Sequence, residues 1–292
     1  MKTSEELKKI VQQKYSEIAK QENTSCCGSD CEIPEGYTIM SDDYSQMKGY
    51  AAEADLGLGC GLPTQFAKIK KGDTVIDLGS GAGNDCFIAR SETGATGKVI
   101  GIDFTEAMIQ KARLNVEKLD FNNVEFRQGD IDNMPVSDVI ADVIVSNCVL
   151  NLVPNKEKVI QEIYRTLKPG GHFSISDIVL VGDLPEALKT DAEMYAGCVA
   201  GAIQKEQYLN YIKISGFQNI TIQKEKTISI PDTILDRYLN ASQKEAFKNS
   251  ATGIFSITVF AEKPAITPLK SVNHSLKIQS SCCGSSNATS CC

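Results

Sequence analysis

Two kinds of residue in this chain could do chemistry: carboxylates at the ends of apolar runs, and thiols. Asp77 sits inside the stretch Asp73 to Asn84, followed by Gly79, Gly81 and Gly83. Alternating glycines let a backbone come close to a ligand. A helix starting after them would point free N–H groups at that ligand. A dinucleotide fingerprint, G-x-G-x-x-G, needs its third glycine where this chain has Asn84. Asp77 in the strand before the turn would also repel a pyrophosphate, so the site suits a cationic or amino-bearing cofactor. The next apolar run ends at Asp103, about 20 residues after Gly83, where a carboxylate can accept hydrogen bonds from ribose hydroxyls. A third run ends at Gly129-Asp130-Ile131, and ligands of open α/β sheets sit at that carboxyl edge.

The thiols are 11 in number: Cys26, Cys27, Cys31, Cys60, Cys86, Cys148, Cys198, Cys282, Cys283, Cys291 and Cys292. An odd count, with no secretory leader at Met1 to Glu6, points to thiolate ligands or redox chemistry rather than a disulfide scaffold. Only 2 histidines are present, too few for a His-rich zinc site or general imidazole chemistry. Cys60 is framed by Gly57, Gly59 and Gly61, which implies a tight loop able to fold over the cofactor turn. Cys198 lies in the small, apolar run Tyr195 to Ala202, which permits close approach of backbone or ligand. Cys148, at the end of a fourth strand, is by position either a ligand or a small hydrophobe. Cys86, next to Phe87 and Ile88, reads as core. The Cys26-Cys27 pair fits no zinc finger and suits a soft, thiophilic ligand, or else surface thiols.

These residues need a scaffold, and the pattern supplies one. Strands are expected near 73–78, 98–103, 124–128, 141–147 and 172–178, with helices near 84–92, 105–119 and 155–168, the alternation of a doubly wound α/β sheet. Further strands are expected near 220–222 and 255–260, the last antiparallel. A helical region is expected over 185–213, and another helix over Asp232 to Asn249 with Asp232 as N-cap. Residues 4–20 read as an amphipathic helix opened by a Thr3–Glu6 capping box. The chain divides into an N-terminal helix and cysteine-rich segment (1–36), a cofactor-binding and catalytic domain (37–180), a substrate-binding region with closing strands (181–262) and a flexible, cysteine-containing tail (263–292). The net charge of −7 makes nucleic acid a poor partner, and no apolar run approaches about 18 residues, so no membrane span is expected. A cytoplasmic monomer is the expectation, and cytoplasm keeps thiols reduced.

Val75 to Gly83, Gly101-Ile102-Asp103 and Leu167-Lys168-Pro169-Gly170-Gly171 resemble the class I S-adenosylmethionine-dependent methyltransferases. The resemblance implies that Asp77 and Gly79 lie by the methionine part, that Gly81 and Gly83 also bind the cofactor, and that Asp103 takes the ribose hydroxyls. It also implies that Phe104 or Met108 packs on adenine, and that Asp130 with Ile131 holds the adenine edge; Asn147 is placed with the cofactor residues. Met108 and Ile131 could equally be core. Gly59-Cys60-Gly61, Ser146 to Leu152 and Gly197 to Ala202 narrow the resemblance to the arsenite S-adenosylmethionine methyltransferases.

That narrower resemblance implies that Cys60, Cys148 and Cys198 bind trivalent arsenic and that Cys31, or one of Cys26 and Cys27, serves a redox step. The tail cysteines are similar to the paired tail cysteines of some members. Soft trivalent arsenic suits thiolates, which leave its lone pair free to attack a sulfonium methyl. No proton need leave such a nucleophile, so no general base is required. Methyl transfer formally oxidises arsenic, so a cysteine pair would supply electrons, with glutathione or thioredoxin resetting it. The expected substrate is arsenite or its thiol conjugate, for arsenic detoxification. Antimony and the final methylation state are left open. The rivals are a C-methyltransferase acting on a sterol or quinone ring and a non-catalytic metalloid-binding protein.

Overall fold

The structure, a computed structural model, describes residues 3–20, 42–190, 201–250 and 252–265. Eight strands form one sheet: β1 (Thr74–Leu78), β2 (Lys98–Asp103), β3 (Val124–Gln128), β4 (Ala141–Asn147), β5 (Leu167–Val181), β6 (Ile203–Gln204), β7 (Gln218–Ile228) and β8 (Gly253–Glu262). Their order is β3-β2-β1-β4-β5-β8-β7, with β6 beside β5. Neighbours from β3 to β5 run parallel, and β8 runs antiparallel to both β5 and β7. This is the expected class I methyltransferase sheet, mostly parallel with an antiparallel last strand. The order reverses between β1 and β4, so the ligand crevice opens at their carboxyl ends.

β1 and β4 are buried along nearly their whole length, which is why Val75-Ile76 and Val143-Ile144-Val145 read as continuous apolar runs rather than alternations. Helices α1 (Ser4–Lys20), α2 (Pro63–Phe66), α3 (Asn84–Thr93), α4 (Glu106–Leu119) and α5 (Lys156–Thr166) precede β5. Helices α6 (Glu186–Thr190), α7 (Lys205–Ile214), α8 (Asp232–Leu235) and α9 (Ala241–Lys248) follow it. The Thr3–Glu6 box forms in both directions: the Thr3 N–H donates to Glu6 Oε2 at 2.6 Å and the Glu6 N–H to Thr3 Oγ1 at 3.2 Å. Among the described residues, no helix is long and apolar enough to cross a membrane.

Four expectations need correction. The helical region expected over 185–213 is interrupted by the strand β6 at Ile203–Gln204, after which α7 begins. β5 begins at Leu167 rather than 172, because Leu167 already pairs with Ala141 of β4; His172 to Ser176 then lie between β4 and β8, and β8 stays paired as far as Val181. The helix expected over 232–249 is two helices, α8 and α9, the second opened by its own capping box at Asn240 and Gln243. Asp232 is therefore the first helical residue rather than the cap, and it pairs with Lys248 on α9. The closing strands join the sheet through the β5–β8 ladder, and Phe217, just before β7, adds edge-on contacts to Phe173 and Tyr164 at 4.9 and 5.1 Å. Each such pair contributes about 1 kcal/mol beyond its burial.

Candidate active site

At the carboxyl ends of β1 and β4 lies a cavity of about 1020 Å³ including its mouth, roomy enough for a nucleoside-sized ligand. Its floor is the turn after β1. The N–H groups of Gly79 and Ser80 donate to the Ile102 carbonyl at 2.8 and 3.0 Å, folding the turn back over β2. Gly79 has a φ of +68°, and a Cβ there would lie 2.4 Å from Val149 Cγ2, so the site demands glycine. At Gly81 a Cβ would meet nothing within 4 Å, so the open space of the cavity begins there.

Two buried carboxylates, Asp77 and Asp103, and a half-buried one, Asp85, share this wall. Asp103 accepts from the N–H groups of Gly81 at 3.0 Å and Thr105 at 2.8 Å. Asp77 accepts from Cys86 Sγ at 3.2 Å. Asp85, from the first turn of α3, accepts from Tyr44 at 2.8 Å and from Thr64 at 3.2 Å. Burial pushes Asp77 well above the usual carboxylate range, and Asp85 and Asp103 add repulsion. Burial likewise raises Asp85 to about 6, and it raises Asp103 against the pull of its two backbone N–H donors. A wall of desolvated acids gains when a cation enters.

The expected residues Asp77, Gly79, Gly81, Asp103, Phe104, Asp130, Ile131, Asn147 and Cys148 all line the cavity. Gly83, Met108 and Cys60 do not. Gly83 caps α3, where a Cβ would strike Phe126 and Phe87 at 2.8 Å, and Met108 is fully buried on α4. Three lining contributions had no clear sequence signal. Helix α1 closes one side: Lys8, Val11 and Tyr15 line the cavity, Lys8 bonds Asp130 and, at 2.9 Å, Asp132, and Gln12 donates to the Phe104 carbonyl at 3.3 Å. Tyr44 comes from a segment that reads as irregular. Asp85 was visible as an acid two residues after Gly83, but only its burial gives it meaning.

The thiol side adjoins the end of β4. Cys60 and Cys148 are both buried in one apolar cluster with Val11, Leu152 and Ile178. Cys148 reaches the cavity wall and holds the left-handed φ of +60°, uncommon for a residue with a side chain, while its N–H donates to the Ser176 carbonyl at 2.8 Å. Asn147 Oδ1 accepts the Cys60 N–H at 2.9 Å, and Ser256 Oγ donates to the Cys60 carbonyl. Burial pushes the Tyr208 hydroxyl well up, with Asp177, Cys60 and Cys148 adding to it. Cys86 is core, as expected, but also bonds Asp77. Cys31 and Cys198, with Cys26, Cys27, Cys282, Cys283, Cys291 and Cys292, lie outside the described residues. Among the described residues, no three His, Cys, Asp or Glu side chains converge as a metal site.

A family profile described as a methyltransferase domain matches residues 69–216. The arsenite methyltransferase of Halobacterium salinarum is 40% identical over 276 residues, covering 89% of this chain and 68% of that protein. The chain belongs to the arsenite methyltransferase family. The human arsenite methyltransferase is 32% identical over 209 residues, 67% of this chain and 55% of that protein, so the chain spans about half of the human relative. The crystal structure of an arsenic(III) S-adenosylmethionine methyltransferase from Chlamydomonas reinhardtii superposes with a TM-score of 0.60 at 31% identity, covering 70% of this chain and 68% of that one.

Like its family, this chain is an S-adenosylmethionine-dependent methyltransferase, and its cavity fits that cofactor. The acid wall suits the sulfonium and ammonium charges. Ser80 Oγ and Asn84 Oδ1, both on the lining, are buried without a hydrogen-bond partner and are available to a polar ligand.

Proposed function

We propose that this methyltransferase transfers its methyl group to trivalent arsenic held by Cys60, Cys148 and Cys198, with arsenite arriving as a thiol conjugate, in arsenic detoxification. The observation that carries the reading is the burial of Cys60 and Cys148 in one apolar cluster beside the cofactor cavity. When bound, S-adenosylmethionine supplies an electrophilic sulfonium methyl. Asp77, Asp103 and Asp130 hold its charged and hydroxyl-bearing parts, and Phe104 and Ile131 offer apolar surface to its base. The two thiols fix the acceptor, and their apolar surroundings exclude water from it. Soft thiolates suit trivalent arsenic, which needs no proton acceptor to become nucleophilic. Cys31 serves the redox step, with glutathione or thioredoxin as the external reductant. The work is done by a cytoplasmic monomer.

The test is a reaction of the purified protein with methyl-labelled cofactor, glutathione and arsenite. Label on arsenic is the expected result. Stoichiometric arsenic binding with no methylated product would favour a sequestering protein. Label transferred to a quinone or sterol, and none to arsenic, would favour the ring-methylating alternative.

A further inference from the structure

Three side chains from distant parts of the chain meet beside the Cys60 loop. Tyr44 is 5% exposed, and its hydroxyl lies 2.8 Å from Asp85 Oδ2 and 3.1 Å from the Gly61 carbonyl, both acceptors for its single proton. Asn147, the last residue of β4, donates its amide hydrogens to the Gly61 carbonyl at 2.8 Å and to the Tyr44 hydroxyl, with Asp85 Oδ2 at 3.4 Å. Its oxygen takes the Cys60 N–H. Thr64 completes the set by donating to Asp85 Oδ1 at 3.2 Å. The loop is pressed hard onto this group: a Cβ at Gly59 would lie 2.5 Å from Asn147 Nδ2, and one at Gly61 would lie 2.5 Å from Ser176 Oγ.

We propose that Tyr44 and Asp85 are positioning residues, which with Asn147 form a clasp that seats the Cys60 segment against the end of β4 and so sets the thiol relative to the cofactor cavity. The inference rests on the reading of Cys60 as an arsenic ligand. Tyr44, Asp85 and Asn147 also line that cavity, so the clasp touches both halves of the site. Stability alone does not account for it. A buried acid costs free energy that an apolar packing residue would not, and burial here lifts Asp85 to about 6. The clasp instead gives one defined arrangement to a loop whose glycines would otherwise allow many.

The test uses the full chain with Tyr44→Phe, Asp85→Ala and Asp85→Asn. Three quantities are read: the arsenite KM and kcat, the cofactor Kd, and the rates at which N-ethylmaleimide labels Cys60 and Cys86, resolved by peptide mass spectrometry. Tyr44→Phe and Asp85→Ala are expected to raise the arsenite KM and Cys60 labelling about tenfold each with kcat within about threefold; Tyr44→Phe should leave the cofactor Kd within about threefold and Cys86 labelling unchanged, whereas Asp85→Ala, which also removes a charge from the cofactor wall, should weaken cofactor binding about tenfold at neutral pH. Asp85→Asn, which keeps the acceptor, should recover most of both effects. Unchanged Cys60 labelling would overturn the proposal. So would a rise of Cys60 and Cys86 together, which would mean general loosening. If Asp85→Ala fails to fold, Tyr44→Phe decides alone, because a clasp predicts a rise in labelling confined to Cys60 while Asp85→Asn stays near wild type. A wild-type protein that does not methylate arsenic would defeat the proposed function, and the labelling comparison would still judge the clasp.

Discussion

Buried carboxylates stand on both sides of this site, and their surroundings differ. On the cofactor side, Asp77, Asp85 and Asp103 crowd one wall of an open cavity, raised by burial and, for Asp77, by its acidic neighbours. On the thiol side, Asp177 is completely buried and lies away from the cavity walls. Tyr208 donates to it at 3.5 Å, and burial raises it to about 7 against the pull of Lys156. The first group can be relieved by a cation that enters and leaves. The second has only fixed neighbours and is a permanent cost to the fold. The same physical state, a desolvated acid, therefore marks a binding wall in one place and a structural burden in the other.

The largest effect expected from this contrast lies with the thiols themselves. Cys60→Ser should lower methyl transfer to arsenic by at least about a hundredfold while leaving the cofactor Kd within about threefold, by labelled-methyl assay and calorimetry. Persistent turnover would reduce the thiol side to packing. Asp177 comes next. Its folded-state pKa of about 7 exceeds its ordinary 3.8, so the folded state holds the proton more tightly. Stability is therefore greatest below about pH 4 as far as this group is concerned, and falls as pH rises to about 7. Asp177→Asn should remove that slope and gain about 4 kcal/mol relative to wild type at about pH 8, in urea titrations at two pH values. A parallel pH slope in the variant would show that Asp177 is not the burden.

The cofactor side should behave in the opposite sense. Asp103→Ala removes a buried acceptor and frees the Gly81 and Thr105 N–H groups. It should weaken cofactor binding by about thirtyfold, with arsenic binding untouched. Affinity for S-adenosylmethionine should also rise about tenfold as pH increases through about 6, where Asp85 gives up its proton. S-adenosylhomocysteine, which lacks the sulfonium charge, should show a shallower rise. Equal slopes for the two ligands would break the account of the wall as a cation site. The smallest effect is expected at Lys8, which is partly exposed and bridges Asp130 and Asp132. Lys8→Ala should speed cofactor dissociation about twofold in stopped-flow, since ion pairs screened by water contribute little.

Much of the cofactor side is legible in the chain because one contiguous stretch builds it. Asp77 and the glycines after it are fixed in place by the strand that precedes them and the helix that follows. Asp103 and Asp130 each stand at or just after the end of a recognisable run. Tyr44 and Lys8 are not legible in that way: each lies in a segment with no chemical signature, and each gains its role only by contact with residues far along the chain. Asp85 is half legible, an acid in the right turn whose burial depends on Tyr44 covering it.

The sequence by itself determined the strand and helix alternation, the glycine turn with its carboxylates, and the presence of thiols in separate, unusual contexts. Local periodicity and backbone permissiveness act over a few residues, so they can be read directly. Only the tertiary structure decided that Cys60 and Cys148 share one apolar cluster, that Asn147 ties the Cys60 loop to β4, and that α1 closes the cavity. Those facts depend on the order of strands in the sheet and on which side chains meet across it. Burial and desolvation, which raise Asp77, Asp85 and Asp103, exist only once the whole chain has closed around them.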